Sequence, residues 1–142
     1  MALTIQELAN GELRVPERLE DGSETRQWST ISCRGSERYR DAGTLYALWF
    51  AVPDQALAEF DGWYEEEHTS LLLACEEWMT VRRFAGSPAV DGVNRLVLHH
   101  LLSAKALDSD ARRKARATPA ACRLLDQGWF QGAEKRLLRR AM

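Results

Sequence analysis

Residues 44–52 read Thr-Leu-Tyr-Ala-Leu-Trp-Phe-Ala-Val, without one charged side chain. Alternation places Tyr46, Leu48 and Phe50 on one side and Leu45, Ala47, Trp49 and Ala51 on the other, so both faces are apolar. That pattern predicts a central strand in a sheet covered on both sides. Helices can cover one face, and another subunit is a natural cover for the second. Pro53 stops the strand and Asp54 is positioned to cap the next helix. The period then changes. Leu57, Phe60, Tyr64, His68, Leu71 and Cys75 recur at three- and four-residue steps and make one stripe of an α-helix. Glu59, Asp61, Glu65 and Glu66 fall off the stripe and are expected in water. Gly62 inside the helix costs about 1 kcal/mol relative to Ala, so it is expected to admit a close neighbour, either backbone or a bulky ring.

Further along, Trp78, Thr80, Arg82 and Phe84 alternate with Met79, Val81 and Arg83, as a strand does. Pro88 and Asp91-Gly92 mark a turn, and residues 93–102 form the next strand, with His99 and His100 on opposite faces. Asp108 or Ser109 caps another helix, Thr118-Pro119 restarts it with Pro at the first position, and Gly128 marks its end. Trp129-Phe130 with residues 133–140 supply the final strand. Before residue 44 the signal is weaker. Residues 28–34 suggest a short strand and Glu37-Arg38-Tyr39-Arg40 a second. Residues 1–27 show little periodicity, with a turn signal at Glu20-Asp21-Gly22-Ser23. The apolar Ile5, Leu8, Leu13, Val15 and Leu19 favour a partly ordered arm over a loose terminus.

From residue 44 onward the order is βαββαβ, the ferredoxin-like α+β arrangement of two split units on one antiparallel sheet. A weak internal repeat supports it: Glu37 to Arg40, turn, strand, helix resembles Val81 to Phe84, turn, strand, helix, and it suggests an additional strand before Thr44. The expected organisation is one domain, with residues 1–43 as an N-terminal arm and residues 44–142 as the ferredoxin-like unit.

Composition narrows the partners. A chain of 142 residues with 45% hydrophobic and 28% charged residues is that of an ordinary globular domain. No apolar run is long enough for a transmembrane helix, and the opening Met1-Ala2-Leu3-Thr4 lacks the basic start of a secretory signal. Three scattered cysteines, Cys33, Cys75 and Cys122, read as free thiols in a cytoplasmic protein. Residues 44–102 carry nine acids and three bases, and residues 103–142 carry four acids and ten bases. The basic third has no nucleic-acid motif beside it and the chain is acidic overall, so solvated and internally paired charge is the favoured reading over nucleic-acid binding.

The stretch Phe60-Asp61-Gly62-Trp63-Tyr64-Glu65-Glu66-Glu67-His68, followed by Leu71-Leu72-Leu73, Trp78 and Arg82-Arg83-Phe84, resembles the signature of the dimeric α+β barrel superfamily, in the branch around EthD-like proteins. Two features depart from that branch: Thr69-Ser70 stand where Pro often follows the His, and Cys75-Glu76-Glu77 where Pro-Gly often precedes the strand. The resemblance implies a homodimer with two sheets face to face and a cleft between sheet and helices. Members of the superfamily include cofactor-free monooxygenases, lactone isomerases, polyketide cyclases, dehydratases, decarboxylases and haem-degrading enzymes, so fold alone does not choose a reaction.

His68 is the strongest chemical candidate, because it stands where an apolar stripe wants Leu and can move protons near neutral pH. The plainer alternative is a structural histidine bonded to a carbonyl, Tyr64 or Arg82. Tyr64, one turn earlier, is expected beside it, steadying a carbonyl or enolate or merely filling the core. Trp63, Trp49 and Phe50 either line an apolar pocket or pack the core. Arg82 and Arg83 point to opposite faces, and Arg82 is the expected substrate-binding one; pairing with Glu66 or Glu67 is the plainer use of an inward Arg. Glu67 is a further candidate partner for His68 or Arg83. His99-His100 and the cysteines match no metal-ligand spacing, and no phosphate loop, dinucleotide fingerprint or nucleophile elbow occurs. The expectation is a homodimeric enzyme without metal or organic cofactor, in which His68 and Tyr64 catalyse isomerisation, cyclisation or elimination on a small apolar carbonyl or phenolic molecule. The alternatives are a cofactor-independent monooxygenase of the same fold and a non-catalytic dimeric binding module.

Overall fold

A computed structural model describes the backbone of residues 6–7, 13–16, 25–86 and 92–139, and side chains from residue 28. The turn signals at 20–23 and around Pro88 lie outside the described residues. Seven strands form one sheet: β1 Gln6–Glu7, β2 Leu13–Pro16, β3 Thr25–Gly35, β4 Thr44–Phe50, β5 Trp78–Ala85, β6 Arg95–Leu101 and β7 Glu134–Arg139, in spatial order β1-β2-β3-β5-β6-β4-β7. All pairings are antiparallel. The order β5-β6-β4-β7 is that of the ferredoxin-like fold. As its two dry faces require, β4 has neighbours on both sides, β6 and β7.

The strand expected over residues 28–34 is part of β3, the additional strand, which continues the sheet past β5. Glu37-Arg38-Tyr39-Arg40 does not form a second one. Tyr39–Asp41 is a single 3₁₀ turn, because β3 must end sharply: Gly35 has φ of 115°, and a Cβ there would meet the Met79 carbonyl at 2.3 Å.

Helices cover one face. The long helix begins as a 3₁₀ turn, Asp54–Ala56, continues as α1 Leu57–Trp63, widens into a π-turn over Tyr64–His68, and closes as α2 Thr69–Leu72. Asp54 lies inside the first turn and makes no capping bond. α3 is Asp110–Ala115, capped by Ser109, and α4 is Pro119–Leu125, capped by Thr118 with Pro119 at the first position. Gly128 starts a helix rather than ending one: Trp129 and Phe130 belong to α5, Gly128–Gln131, and not to the last strand. Phe130 is buried there against Phe50 and Phe60.

Two apolar clusters result. Leu48, Phe50, Val52, Phe60, Trp63, Tyr64, Leu72, Trp78, Val81, Val97 and Leu101 lie between sheet and helices. Trp28, Ala47, Trp49, Phe84, Leu96 and Leu98 form the second, on the opposite face. The six side chains of that second cluster are buried within the one chain. Among the described residues no helix is long and apolar enough to cross a membrane.

Candidate active site

The π-turn sets the geometry of the candidate residues. Its defining bond runs from the Thr69 N–H to the Tyr64 carbonyl, five residues back. The wider turn holds Tyr64 and His68 edge to face at 5.0 Å between ring centroids, and stacks His68 on Trp63 at 4.1 Å. All three rings are buried. Burial pushes the His68 pKa down to about 3; the Ala115 backbone opposes the shift, and Arg116 and Arg112 add to it. The imidazole is therefore neutral at pH 7. Its Nδ1 is buried without a hydrogen-bond partner. A buried polar atom left unpaired costs about 1–3 kcal/mol and calls for an explanation.

The sheet supplies a second histidine. Tyr46 and His99 are opposite each other in the β4–β6 register, which turns both toward the helices. His99 Nδ1 accepts a hydrogen bond from Trp78 Nε1–H at 3.1 Å, and its Nε2 lies 3.1 Å from the Tyr64 hydroxyl. Burial lowers the His99 pKa well below its ordinary value, so the ring is neutral. Indole can only donate, so Nδ1 carries no proton and Nε2 carries the one the ring has. Tyr64 Oη is thus the acceptor from His99, and its own proton has no protein acceptor among the described residues. Burial also raises the Tyr64 pKa, keeping the phenol protonated. Trp78, His99 and Tyr64 together aim one O–H donor.

That donor borders a narrow cleft with a cavity volume of about 30 Å³. Phe50, Leu48, Leu72, Trp78 and Phe130 give it apolar walls, and Tyr46, Tyr64, His68 and His99 give it polar atoms. Arg112, Arg116 and Lys135 complete the lining. Of the residues singled out from sequence, His68, Tyr64 and Phe50 meet at this cleft, and Trp63 backs His68 from behind.

Trp49 and Arg82 do not share it. Trp49 belongs to the second cluster, and Arg82 pairs with Leu98 in the face away from His68, its guanidinium over the Tyr39 and Phe84 rings at 4.5 and 5.1 Å. Strand parity turns Arg83 inward instead. It is 1% exposed, bonded to Asp61 and, at 2.8 Å, to Glu65, with Arg95 on the other Asp61 oxygen at 2.9 Å. Asp61 and Glu65, expected in water, are therefore the partners of Arg83 in place of Glu66 or Glu67. Burial pushes Asp61 up, but the Arg95 and Arg83 bonds and charges outweigh it and leave its pKa lowered. Glu67 bonds neither His68 nor Arg83; it accepts from the Thr118 hydroxyl at 2.6 Å, tying the long helix to the α4 cap.

Sequence reasoning missed the roles of His99, Trp78, Arg112, Arg116 and Lys135. The parity of His99 was readable, but its partner across the strand pair depends on register, which no local pattern states. Among the described residues no group of His, Cys, Asp and Glu is arranged to hold a metal ion.

Comparison with known proteins gives fold alone. No protein-family model matches the chain, and no curated protein does. Among solved structures, the heme-degrading enzyme LmHde from Listeria monocytogenes superposes with a TM-score of 0.58 at 10% identity, over 98% of this chain and 84% of that one. At that identity the likeness establishes a shared architecture, and the chain has a ferredoxin-like α+β fold.

Proposed function

We propose that the protein is a small-molecule enzyme that moves a proton next to a carbonyl group, as an isomerase, cyclase or lyase does. The observation that carries this reading is the pairing of an aimed Tyr64 O–H with a neutral His68 imidazole, its Nδ1 unpartnered, beside one cleft. His68 takes a proton from the carbon adjacent to a substrate carbonyl. The developing enolate oxygen accepts the Tyr64 hydrogen bond. Burial makes the resting imidazole a weak base, and the enolate supplies a counter-charge to the imidazolium that forms. Return of the proton to another atom isomerises the substrate; attack of the enolate carbon on a second carbonyl closes a ring; departure of a β-substituent eliminates it. These steps use only side chains present in the chain. The helix motif similar to EthD-like proteins supports the same placement of His68, and the fold class supports a homodimer.

Haem handling, the activity of the structural neighbour, fits these residues poorly. Both ring nitrogens of His99 are engaged, which leaves it none for an iron.

The test is solvent deuterium exchange. Apolar ketones and β-keto acids are incubated with the protein in D₂O, and loss of the α-proton signal is followed by NMR. We expect exchange above buffer, lost in His68→Ala and reduced about 10²-fold in Tyr64→Phe, the range of one oxyanion donor. Exchange unchanged in His68→Ala overturns the reading.

A further inference from the structure

Three cationic side chains reach the cleft from two separate elements. Arg112 on α3 and its C-cap Arg116 stand one helical turn apart, and Lys135 comes from β7, opposite Leu48 in the sheet. No acidic residue lines the cleft with them. Among the described residues Arg116 and Lys135 make no side-chain hydrogen bond or ion pair, and Arg112 reaches only the Leu107 carbonyl, at 3.3 Å. Arg116 and Lys135 are solvent-exposed, whereas Tyr64, His68 and His99 are buried. The cleft therefore has a cationic mouth, apolar walls and a proton-transfer end.

We propose that the substrate is an apolar carboxylate, its anionic head held at the mouth by Arg116, Lys135 and Arg112 and its reactive carbonyl carried inward to Tyr64 and His68. This rests on the acid–base reading of the cleft and adds the substrate's charge to it. Arg presents a planar fork that fits a carboxylate, and each charge-assisted bond is about twice as strong as a neutral one. A bound carboxylate has a second effect. Arg116 and Arg112 help hold the His68 imidazole neutral. Neutralising them on binding makes His68 a better base only when the right ligand is in place, so the head group contributes to chemistry as well as affinity.

The experiment compares naphthalene-2-carboxylate with naphthalene-2-carboxamide, two probes of equal shape, by quenching of Trp fluorescence, since Trp78 lines the cleft. The carboxylate is expected to bind about tenfold tighter or more, because hydrogen bonds to a charged group are the stronger ones, and to weaken as salt rises. Arg116→Gln with Lys135→Gln should abolish the preference and leave amide affinity unchanged. Equal binding of the two probes, binding of neither, or a preference that survives in the Arg112→Gln, Arg116→Gln, Lys135→Gln triple variant overturns the proposal. The two ideas fail separately. Carboxylate preference with His68-independent exchange removes the acid–base reading and leaves the anion site; His68-dependent exchange without preference does the reverse.

Discussion

The indole N–H of Trp78 donates to Nδ1 of His99, and that bond determines the direction of every proton between His99 and Tyr64. Trp has no acceptor to offer, so the His99 tautomer is settled by Trp78. Trp78 is thus a positioning residue for Tyr64, acting through the imidazole.

Replacing it tests this. Trp78→Phe keeps a ring in the core but leaves Nδ1 of His99 without its donor. Proton exchange should fall about tenfold in kcat with KM nearly unchanged, the size expected of one lost buried hydrogen bond. ¹⁵N chemical shifts of the His99 ring should change from a single tautomer to a mixture, which a purely structural role for Trp78 would not produce. A single unchanged tautomer in the variant would show that something else holds the ring.

The buried histidines also make stability depend on pH. His68 titrates at about 3 in the folded chain, below its ordinary 6.5. Between those values the unfolded chain binds the proton and the folded one does not, so stability is full above the ordinary pKa and is lost as pH falls through this window. From pH 7 to pH 5 the loss assigned to His68 is about 2 kcal/mol, at 1.36 kcal/mol per unit. His99, also lowered, loses stability in the same direction. Urea melts at the two pH values should show the drop, and His68→Leu should remove its share. Equal acid sensitivity in that variant would exclude His68 as a source.

Gly62 has the opposite character from its expected one. A Cβ built there meets nothing within 4 Å, so no ring or backbone approaches it. Gly62→Ala should then stabilise the protein by about 1 kcal/mol through helix propensity alone. Chemical denaturation measures it, and a destabilised variant would mean that the helix needs glycine's freedom where the π-turn begins.

The architecture was largely legible because its signals are local. The two-faced strand at β4, the helical stripe, and the Ser109 and Thr118 caps each depend on a few neighbouring residues. Tyr64 and His68 can be paired for the same reason. What escapes depends on contacts distant in sequence. Alternation alone turns Arg82 and Arg83 opposite ways, but only the β5 register shows that Arg83 turns to Asp61 and Glu65 while Arg82 stacks on Tyr39. Asp61 and Glu65 look solvated on an ideal helix, and the cationic mouth combines α3 with β7, whose adjacency no spacing encodes.

The π-turn has a consequence for the helix's length. A five-residue bond holds one residue more than an α-turn would, so the segment from Tyr64 to His68 behaves as a one-residue insertion confined to a single turn. Upstream, Phe60 and Trp63 keep their seats in the core; downstream, Thr69 and Leu72 keep theirs. The surplus is absorbed between them, where both candidate catalytic rings stand. Removing one residue there would restore regular hydrogen bonding without disturbing the chain's ends, and would rotate the imidazole off the phenol. The fold thus sets both candidate rings on a local irregularity in an otherwise ordinary helix.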